Sequence, residues 1–374
     1  MIQDVFIIGA TGKVGRTLIR QILEKDTDPN THKNPTRIVG LASSKNFIYE
    51  REGLTQENIE HFLAYPGFGE SFGLWKILER VDYKPLWGVF KQRERSISFI
   101  DVTADGLNML PFHKKIIFNS KHRVVTANKL PLVLVDSYNF QYLTGQVNRY
   151  GFRCSVMAGA EAVSKVRDLK DLGDVPFEIS GCFSGTLGYI ISELESGRKF
   201  SEIVKEAKEL GYTEPNPADD LNGLDVARKI FILARTAGYC VGDPNMIIEP
   251  FVASQFLKEE NSEKLIKGLQ ELDIGFSEQI KRAADKGRAL RYVASLFLRN
   301  DQPFIKVGLR EVSKDSPLGV LKGTSNKIVI KTKTHGDNCY CVEAPGAGLE
   351  ITAQNIRRDL LGQLAERIVN YKTA

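Results

Sequence analysis

Two opposite charges stand four residues apart in TEPNPADDLNGLDVARK, residues 213–229 of this 374-residue sequence. From Leu221 onward, at about 100° per residue, the stretch reads as a helix. Apolar side chains point almost everywhere around it: Leu224, Val226, Ala227, Ile230, Phe231, Ile232 and Leu233. A helix that is apolar all round is mostly buried. Asn222, Asp225 and Lys229 nevertheless share one narrow sector, and Arg228 with Arg235 make a second. One reading is structural, since an acid and a base at this spacing support a helix by ~0.2–0.5 kcal/mol. The other is chemical. Burying charges is costly, so stability is a poor reason to keep them inside, whereas a polar stripe facing a cleft presents a proton-moving lysine. Periodicity leaves both open. Ahead of the pair stand Glu214, Asp219 and Asp220. One is expected to cap the helix. The others bind an ammonium group or are solvated turn residues, and composition does not choose.

A second stretch suits phosphate. Gly9, Ala10, Thr11, Gly12, Lys13, Val14 and Gly15 lie between a strand-like run, VFII, and helical spacing at Val14, Leu18, Ile19 and Ile22. Glycines at such a turn let the backbone approach a pyrophosphate seated on free N–H groups of the helix start. The spacing is G-x-x-G-x-x-G, and the flanking strand and helix supply the context that a dinucleotide site requires. An acid at the end of the second strand would hold the ribose hydroxyl of NAD. Here the strand ends in Leu41, Ala42, Ser43, Ser44 and Lys45. Ser43 and Lys45 suit a 2′-phosphate, which favours NADP with NAD tolerated. The alternative is that Lys45 is an ordinary loop lysine.

Elements must position these groups. Strands and helices alternate through about the first 150 residues, which implies a parallel sheet with helices on both faces. Residues 43–95 are expected to form helices and loops, including the loop-like AYPGFGESFGLW. Beyond residue 151, FEISGCFSGTLGYIISELE reads as strand into helix, and SEIVKEAKELGY as an amphipathic helix ending at Gly211. Four runs between residues 290 and 346 read as antiparallel strands, and a helix closes the chain. The chain is 42% hydrophobic, ample for a core, with a formal charge of +5. The densest basic run, residues 91–95, is diluted by an acid and reads as a solvated face, not a nucleic-acid patch. No apolar run has membrane-spanning length. Cys154, Cys182, Cys240, Cys339 and Cys341 are odd in number and mostly far apart, as for reduced thiols in a cytoplasmic protein. Cys339 and Cys341 share a strand face, which does not favour a mutual disulfide. The early first strand leaves no room for a signal peptide.

Residues 212–229 closely resemble the signature region of homoserine dehydrogenase. The glycine turn at Gly9, VVTANK at Val124, FSGTLGYI at Phe183, SPLGVLKGTSNKIVI at Ser316 and APGAGLEITA at Ala344 agree with that family in order. The resemblance implies an α/β fold with two parts. A Rossmann-type parallel sheet binding NAD(P), residues 1–153 and 350–374, joins an α+β catalytic and dimerisation domain, residues 154–349. It implies interconversion of L-homoserine and L-aspartate 4-semialdehyde, a step toward threonine and methionine, in a homodimer or dimer of dimers. Glu214 is then the ligand of the substrate ammonium, Asp220 and Asp225 position substrate and lysine, and Lys229 transfers the proton. Lys129 lies near the nicotinamide and the reacting oxygen. Gly185, Thr186 and Tyr212 line the substrate pocket, and Thr103, Ala104 and Ala127 line the cofactor. Oxidation takes a hydride from the alcohol carbon and a proton from its oxygen. A lysine, or a water that it holds, accepts the proton, and the nicotinamide takes the hydride.

Three features depart from the family pattern. The glycine turn has an extra spacer. Residues 43–96 are longer than expected. Cys154 stands where a cation-binding glutamate is expected, which makes a monovalent-cation loop at Met157, Gly159 and Glu161 weak at best, because a thiol is a poor ligand for hard cations. Rival readings are a phosphorylating aspartate-semialdehyde dehydrogenase, which needs an activated cysteine in a motif absent here, a related amino-alcohol dehydrogenase, and a non-catalytic NADP sensor. The sensor would be expected to lack Lys129, Asp225 or Lys229. With 26 residues after the PGAG turn and no kinase segment ahead of the glycine turn, a monofunctional enzyme without threonine feedback through an added domain is expected.

Overall fold

The computed structural model describes residues 2–27, 35–64, 76–77, 95–242 and 245–370, the backbone alone at 76–77 and beyond residue 364. Most of AYPGFGESFGLW and of the basic run at 91–95 lies outside the described residues. The chain divides into two compact units, Met1–Ser155 with Gly348–Ala374, and Val156–Ala347.

The first unit is built on a seven-stranded sheet. Its strands are β1 (Gln3–Ile8), β2 (Thr36–Ala42), β3 (Asn46–Tyr49), β4 (Lys76–Ile77), β5 (Ile97–Asp101), β6 (Arg123–Thr126) and β7 (Tyr150–Gly151), in the order β4-β3-β2-β1-β5-β6-β7. From β2 to β7 all neighbours are parallel. β1, β5 and β6 are buried along their whole length, as strands covered on both faces must be. The expectation of helices and loops after residue 43 is corrected here. β3 turns back antiparallel on β2, and β4 pairs antiparallel with β3. Phe47 and Ile48 are buried, but a four-residue strand is too short to show a period.

The closing helix, Leu349–Asn370, belongs to this unit and is tied in by buried polar groups. Gln363 Oε1 accepts from Ser98 Oγ at 2.8 Å, and its amide donates to the carbonyl of Val124 at 2.9 Å. Gln3 donates to the carbonyl of Leu360, and Arg357 pairs with Asp26. Partnered polar groups of this kind fix a helix in one register, because a slip would leave each of them buried and unsatisfied.

The second unit carries a six-stranded sheet. Its strands are β8 (Glu178–Cys182), β9 (Met246–Ile248), β10 (Arg288–Arg299), β11 (Gln302–Ser313), β12 (Ser325–Lys331) and β13 (Tyr340–Pro345), in the order β13-β12-β8-β10-β11-β9. All pairs are antiparallel except β9 with β11, and β9 was not legible in the sequence. Ile179, Ala294, Leu296, Ile305, Val307, Ile328 and Ile330 are fully buried on one face, against helices that include Gly185–Glu195 and Leu224–Thr236. On the opposite face Cys182, Val293 and Val329 are buried with Leu318 and Leu321, while Ser180, Ser295, Phe297, Phe304 and Lys306 are only partly buried. All five cysteines are free.

Candidate active site

The helix read from Leu221 onward is broken in two. A short turn, Ala218–Leu221, precedes the helix Leu224–Thr236, and Gly223 bends the chain between them with φ +73°. A Cβ at Gly223 would lie 1.9 Å from the Tyr292 hydroxyl, so the break needs glycine for both space and backbone angle. No carboxylate caps either piece, against expectation. Asn216 Oδ1 accepts from Ala218 N, and Asn222 Oδ1 from Leu224 N. The acids are thereby left for other work.

Lys229 is 7% exposed, on the helix face turned into the unit. Its Nζ donates to the carbonyl of Phe183 at 2.6 Å and lies 2.7 Å from Asp225 Oδ2. These contacts fix two of the three N–H directions of the ammonium. The Asp225 side chain is 45% exposed, so the pair runs from solvent to interior and is not a sealed ion pair. Phe183 itself is fully buried and comes from the strand-to-helix loop that also carries Gly185 and Thr186. That loop is set by Ser184, whose hydroxyl accepts from Leu187 N at the start of Gly185–Glu195. Gly185 packs close to the Thr324 carbonyl, 3.0 Å from where a Cβ would sit.

Thr186, Tyr212, Glu214 and Asp220 form a second connected group. Thr186 Oγ1 lies 2.6 Å from the carbonyl of Tyr212 and 3.1 Å from Asp220 Oδ1. Asp220 Oδ2 accepts from Glu214 N at 2.8 Å. Burial pushes the Asp220 carboxyl up to about 6, the Glu214 N–H, with the Thr186 hydroxyl wherever it donates, opposes this, and the charges of Glu214 and Asp225 add to it. The Tyr212 ring is exposed and meets Tyr189 edge-on at 5.1 Å. Glu214 and Asp219 are exposed. The candidates from Gly185 to Lys229 thus lie within one unit.

The nucleotide candidates lie in the other unit. Gly9 has φ +89°, and a Cβ there would sit a tight 3.0 Å from the Val102 backbone, so angle and space both favour glycine. A Cβ on Gly15 would meet the Gly9 carbonyl at 2.5 Å, so the first turn of Lys13–Lys25 packs directly on the glycine loop. Gly9 N and Ala10 N both donate to the Ala42 carbonyl, which anchors the loop to the end of β2. Gly12 is the N-cap and no side chain caps the helix, so its first N–H groups keep the anion-binding character of a helix start. Thr11 and Val14 are half-buried, and Lys13 is exposed. Ser43 is held by its own turn. Its hydroxyl accepts from Lys45 N and Asn46 N and donates to the Asn46 carbonyl. Lys45 is exposed beside it.

Thr103, Ala104, Ala127 and Lys129 gather at the ends of β5 and β6 around a residue that sequence reasoning passed over. Asp101, 1% exposed, accepts from Thr103 N and Oγ1 at 2.9 and 2.7 Å, and from Asn128 Nδ2 at 3.1 Å. Asn128 also donates to the Asp105 carbonyl, and its Oδ1 accepts from Leu130 N. Ala127 N donates to the Asp101 carbonyl. Behind Asp101, His113 Nε2 lies 3.2 Å from Oδ2, and its Nδ1 lies 2.9 Å from the Tyr150 hydroxyl. The signal for Asp101 and Asn128 was the polar residue at each strand end, in FIDVTAD and TANK.

Cys154 is buried in the same unit with its thiol donating to the Thr126 carbonyl at 3.3 Å. Burial foremost, with the Asp359 charge, pushes this thiol well above its usual range, so it is neutral. It offers a cation neither charge nor oxygen. In the other unit Met157 and Glu161 adopt left-handed backbone, with φ 46° and 52°. Ala158 N and Gly159 N donate to the carbonyls of Gly346 and Pro345, and Glu161 is half-buried ahead of helix Ala162–Asp171. Among the described residues no group of three His, Cys, Asp or Glu is placed to hold a metal ion. Nor is any helix among them long and apolar enough to cross a membrane.

The homoserine dehydrogenase family model matches residues 163–361, which hold the Thr186, Asp220 and Lys229 groups. The chain belongs to the homoserine dehydrogenase family. A bifunctional aspartokinase/homoserine dehydrogenase of Buchnera aphidicola is 32% identical over 366 residues, 96% of this chain and 43% of that protein. The homoserine dehydrogenase of Emericella nidulans is 39% identical over 225 residues, 57% of this chain and 60% of that protein. The chain therefore spans less than two thirds of the length of these relatives. A hyperthermophilic archaeal homoserine dehydrogenase solved with NADPH shares the fold, with a TM-score of 0.70 at 20% identity over 98% of each chain. The family's two-part fold, a Rossmann-type sheet plus an α+β unit, is the fold of this chain.

Proposed function

We propose that the protein interconverts L-homoserine and L-aspartate 4-semialdehyde with NADP(H), one step of threonine and methionine formation. The observation that carries this reading is Lys229, a nearly buried amine oriented by Asp225 and the Phe183 carbonyl beside a pocket of carboxylates and a hydroxyl. Lys229 moves the proton of the substrate hydroxyl, directly or through a water, and Asp225 keeps the amine aimed. Glu214, exposed at the pocket rim, holds the substrate ammonium through a charge-assisted contact. Asp220, Thr186, Gly185 and Tyr212 shape the pocket, and Lys129 serves the reacting oxygen. Glycine at Gly9 and Gly15 lets the loop pack between Val102 and the first helical turn, which holds its backbone N–H groups for a pyrophosphate. The residues from Gly9 to Gly15 hold that group, while Thr103, Ala104 and Ala127 line the rest of the cofactor. When bound, NADP supplies the two-electron acceptor.

Exposed Lys45, with no acid beside it at the end of β2, favours NADP over NAD. The neutral Cys154 thiol leaves turnover independent of sodium and potassium. The partly buried face of the six-stranded sheet joins two copies in a homodimer, and the enzyme works in the cytoplasm. The test follows nicotinamide reduction with L-homoserine and a panel of amino-alcohols, with NADP or NAD, with alkali ions replaced by a bulky organic cation. L-homoserine and NADP are expected to give the highest kcat/KM, unchanged by the ion swap. No reduction with any substrate, despite tight NADPH binding, would support a sensor instead.

A further inference from the structure

The hydrogens around Asp220 do not balance if its carboxyl is ionised. A threonine hydroxyl has one hydrogen. Thr186 Oγ1 lies 2.6 Å from the Tyr212 carbonyl, which can only accept, and 3.1 Å from Asp220 Oδ1. The shorter contact takes the hydrogen. The longer one then sets lone pairs against lone pairs, unless Asp220 Oδ1 carries a proton and donates it to Thr186 Oγ1. The other oxygen, Oδ2, already accepts from Glu214 N.

The neighbouring charges agree with this count. Glu214 comes from the preceding loop, and its charge raises the Asp220 carboxyl. Asp225 and Lys229 come from helix Leu224–Thr236 as a mutual pair, and Asp225 adds to the rise. Helix Gly185–Glu195 brings Thr186, and the adjoining Ser254–Leu257 brings no ionisable side chain. Asp219, on the same turn, is exposed. Two acids and a lysine already engaged by one of them make a poor place for a third carboxylate.

We infer that in mildly acid solution Asp220 is a neutral acid in the substrate-free pocket, donating its proton to Thr186, and that a cationic substrate group expels that proton on binding. This rests on the substrate reading above. In that pH range the pocket gains this negative charge only when an ammonium arrives to balance it. Specificity follows in the same range, since a ligand without the cation leaves Asp220 protonated and gains no counter-charge.

The free protein tests the proton without any substrate. With 13C-labelled aspartate, the signal that disappears in Asp220→Asn is expected to titrate near the value of about 6 set by its burial. Adding L-homoserine at pH 6 is expected to release about half a proton per site, falling below about a tenth at pH 7.5, read by calorimetry in buffers of different ionisation enthalpy. In turnover, kcat/KM for L-homoserine should fall with unit slope below pH 6, and Asp220→Asn should abolish that limb. Thr186→Val removes the acceptor of the proton, so the limb should move down by roughly half a unit to one unit. A limb that moves up would mean that the hydroxyl donates to the carboxylate, and would overturn the inference. So would an Asp220 carboxyl titrating near 4 in an enzyme that turns over homoserine. A carboxyl titrating near 6 in a protein that neither binds nor oxidises homoserine would instead overturn the substrate reading, and with it the expulsion step.

Discussion

At the scale of single residues, exposure decides what spacing could not. Asp225 and Lys229 would look the same on a helical wheel whether they were a surface pair or a working pair. A surface pair would have both ends in water, whereas here the lysine side chain is 9% exposed and the aspartate side chain 45%. The buried end also bonds to a carbonyl from another element, Phe183, which no helical period reports. Lys229→Ala is expected to lower kcat by ~10²–10⁴-fold while leaving NADPH affinity unchanged. Asp225→Asn keeps the amine in place without its counter-charge, so a smaller loss is expected. Stopped-flow turnover with parallel NADPH titration checks both. Unchanged kcat in Lys229→Ala would return the pair to a helix-supporting role.

At the scale of elements, two helical glycines make a contrast. Gly15 lies in Lys13–Lys25 and Gly275 in Asp273–Asp285. Helix propensity alone favours alanine at both, by roughly 1 kcal/mol. Around Gly275 nothing lies within 4 Å of an added Cβ, while at Gly15 the Gly9 carbonyl lies at 2.5 Å and Ala10 Cα at 2.8 Å. Gly275→Ala is therefore expected to stabilise the protein slightly, by roughly 0.5–1 kcal/mol. Gly15→Ala pushes the helix off the glycine loop and is expected to weaken NADPH binding at least tenfold, with the urea midpoint also lowered. Calorimetric NADPH titration and urea unfolding of both variants decide it. Equal NADPH affinity in wild type and Gly15→Ala would remove the loop from the cofactor site.

At the scale of the whole molecule, the second unit carries a sheet with helices on one face and, on part of the other, partly buried side chains around Ser295. Ser295 sits mid-sheet on that second face, its hydroxyl 3.1 Å from that of Ser180 on the neighbouring strand. If this face joins two copies, the contact is isologous and meets itself across a twofold axis. A stable interface of this kind buries on the order of 1,200–2,000 Å². Ser295→Arg would then set like charges near each other at its centre. Light scattering after size exclusion is expected to report a dimer for the wild type and a monomer for Ser295→Arg. A wild-type monomer at micromolar concentration would rule this face out.

Legibility followed the range of the interactions. Local pattern carried the glycine turn, the parallel strands β1, β5 and β6, and the strand-to-helix step at Phe183, because each is set by neighbours in sequence. Long, specific motifs carried the family and most candidate residues. What sequence alone did not disclose rests on contacts between distant segments. Gly223 breaks the signature helix because Tyr292, about seventy residues on, fills the space where a side chain would go. Strands β3 and β9 are too short to show a period and exist through pairing with β2 and β11. Asp101 organises the cofactor-side loops through Thr103 and Asn128, whose approach only the sheet brings about. The protonation of Asp220 depends on burial and on one hydroxyl hydrogen donated elsewhere, and both are properties of tertiary packing.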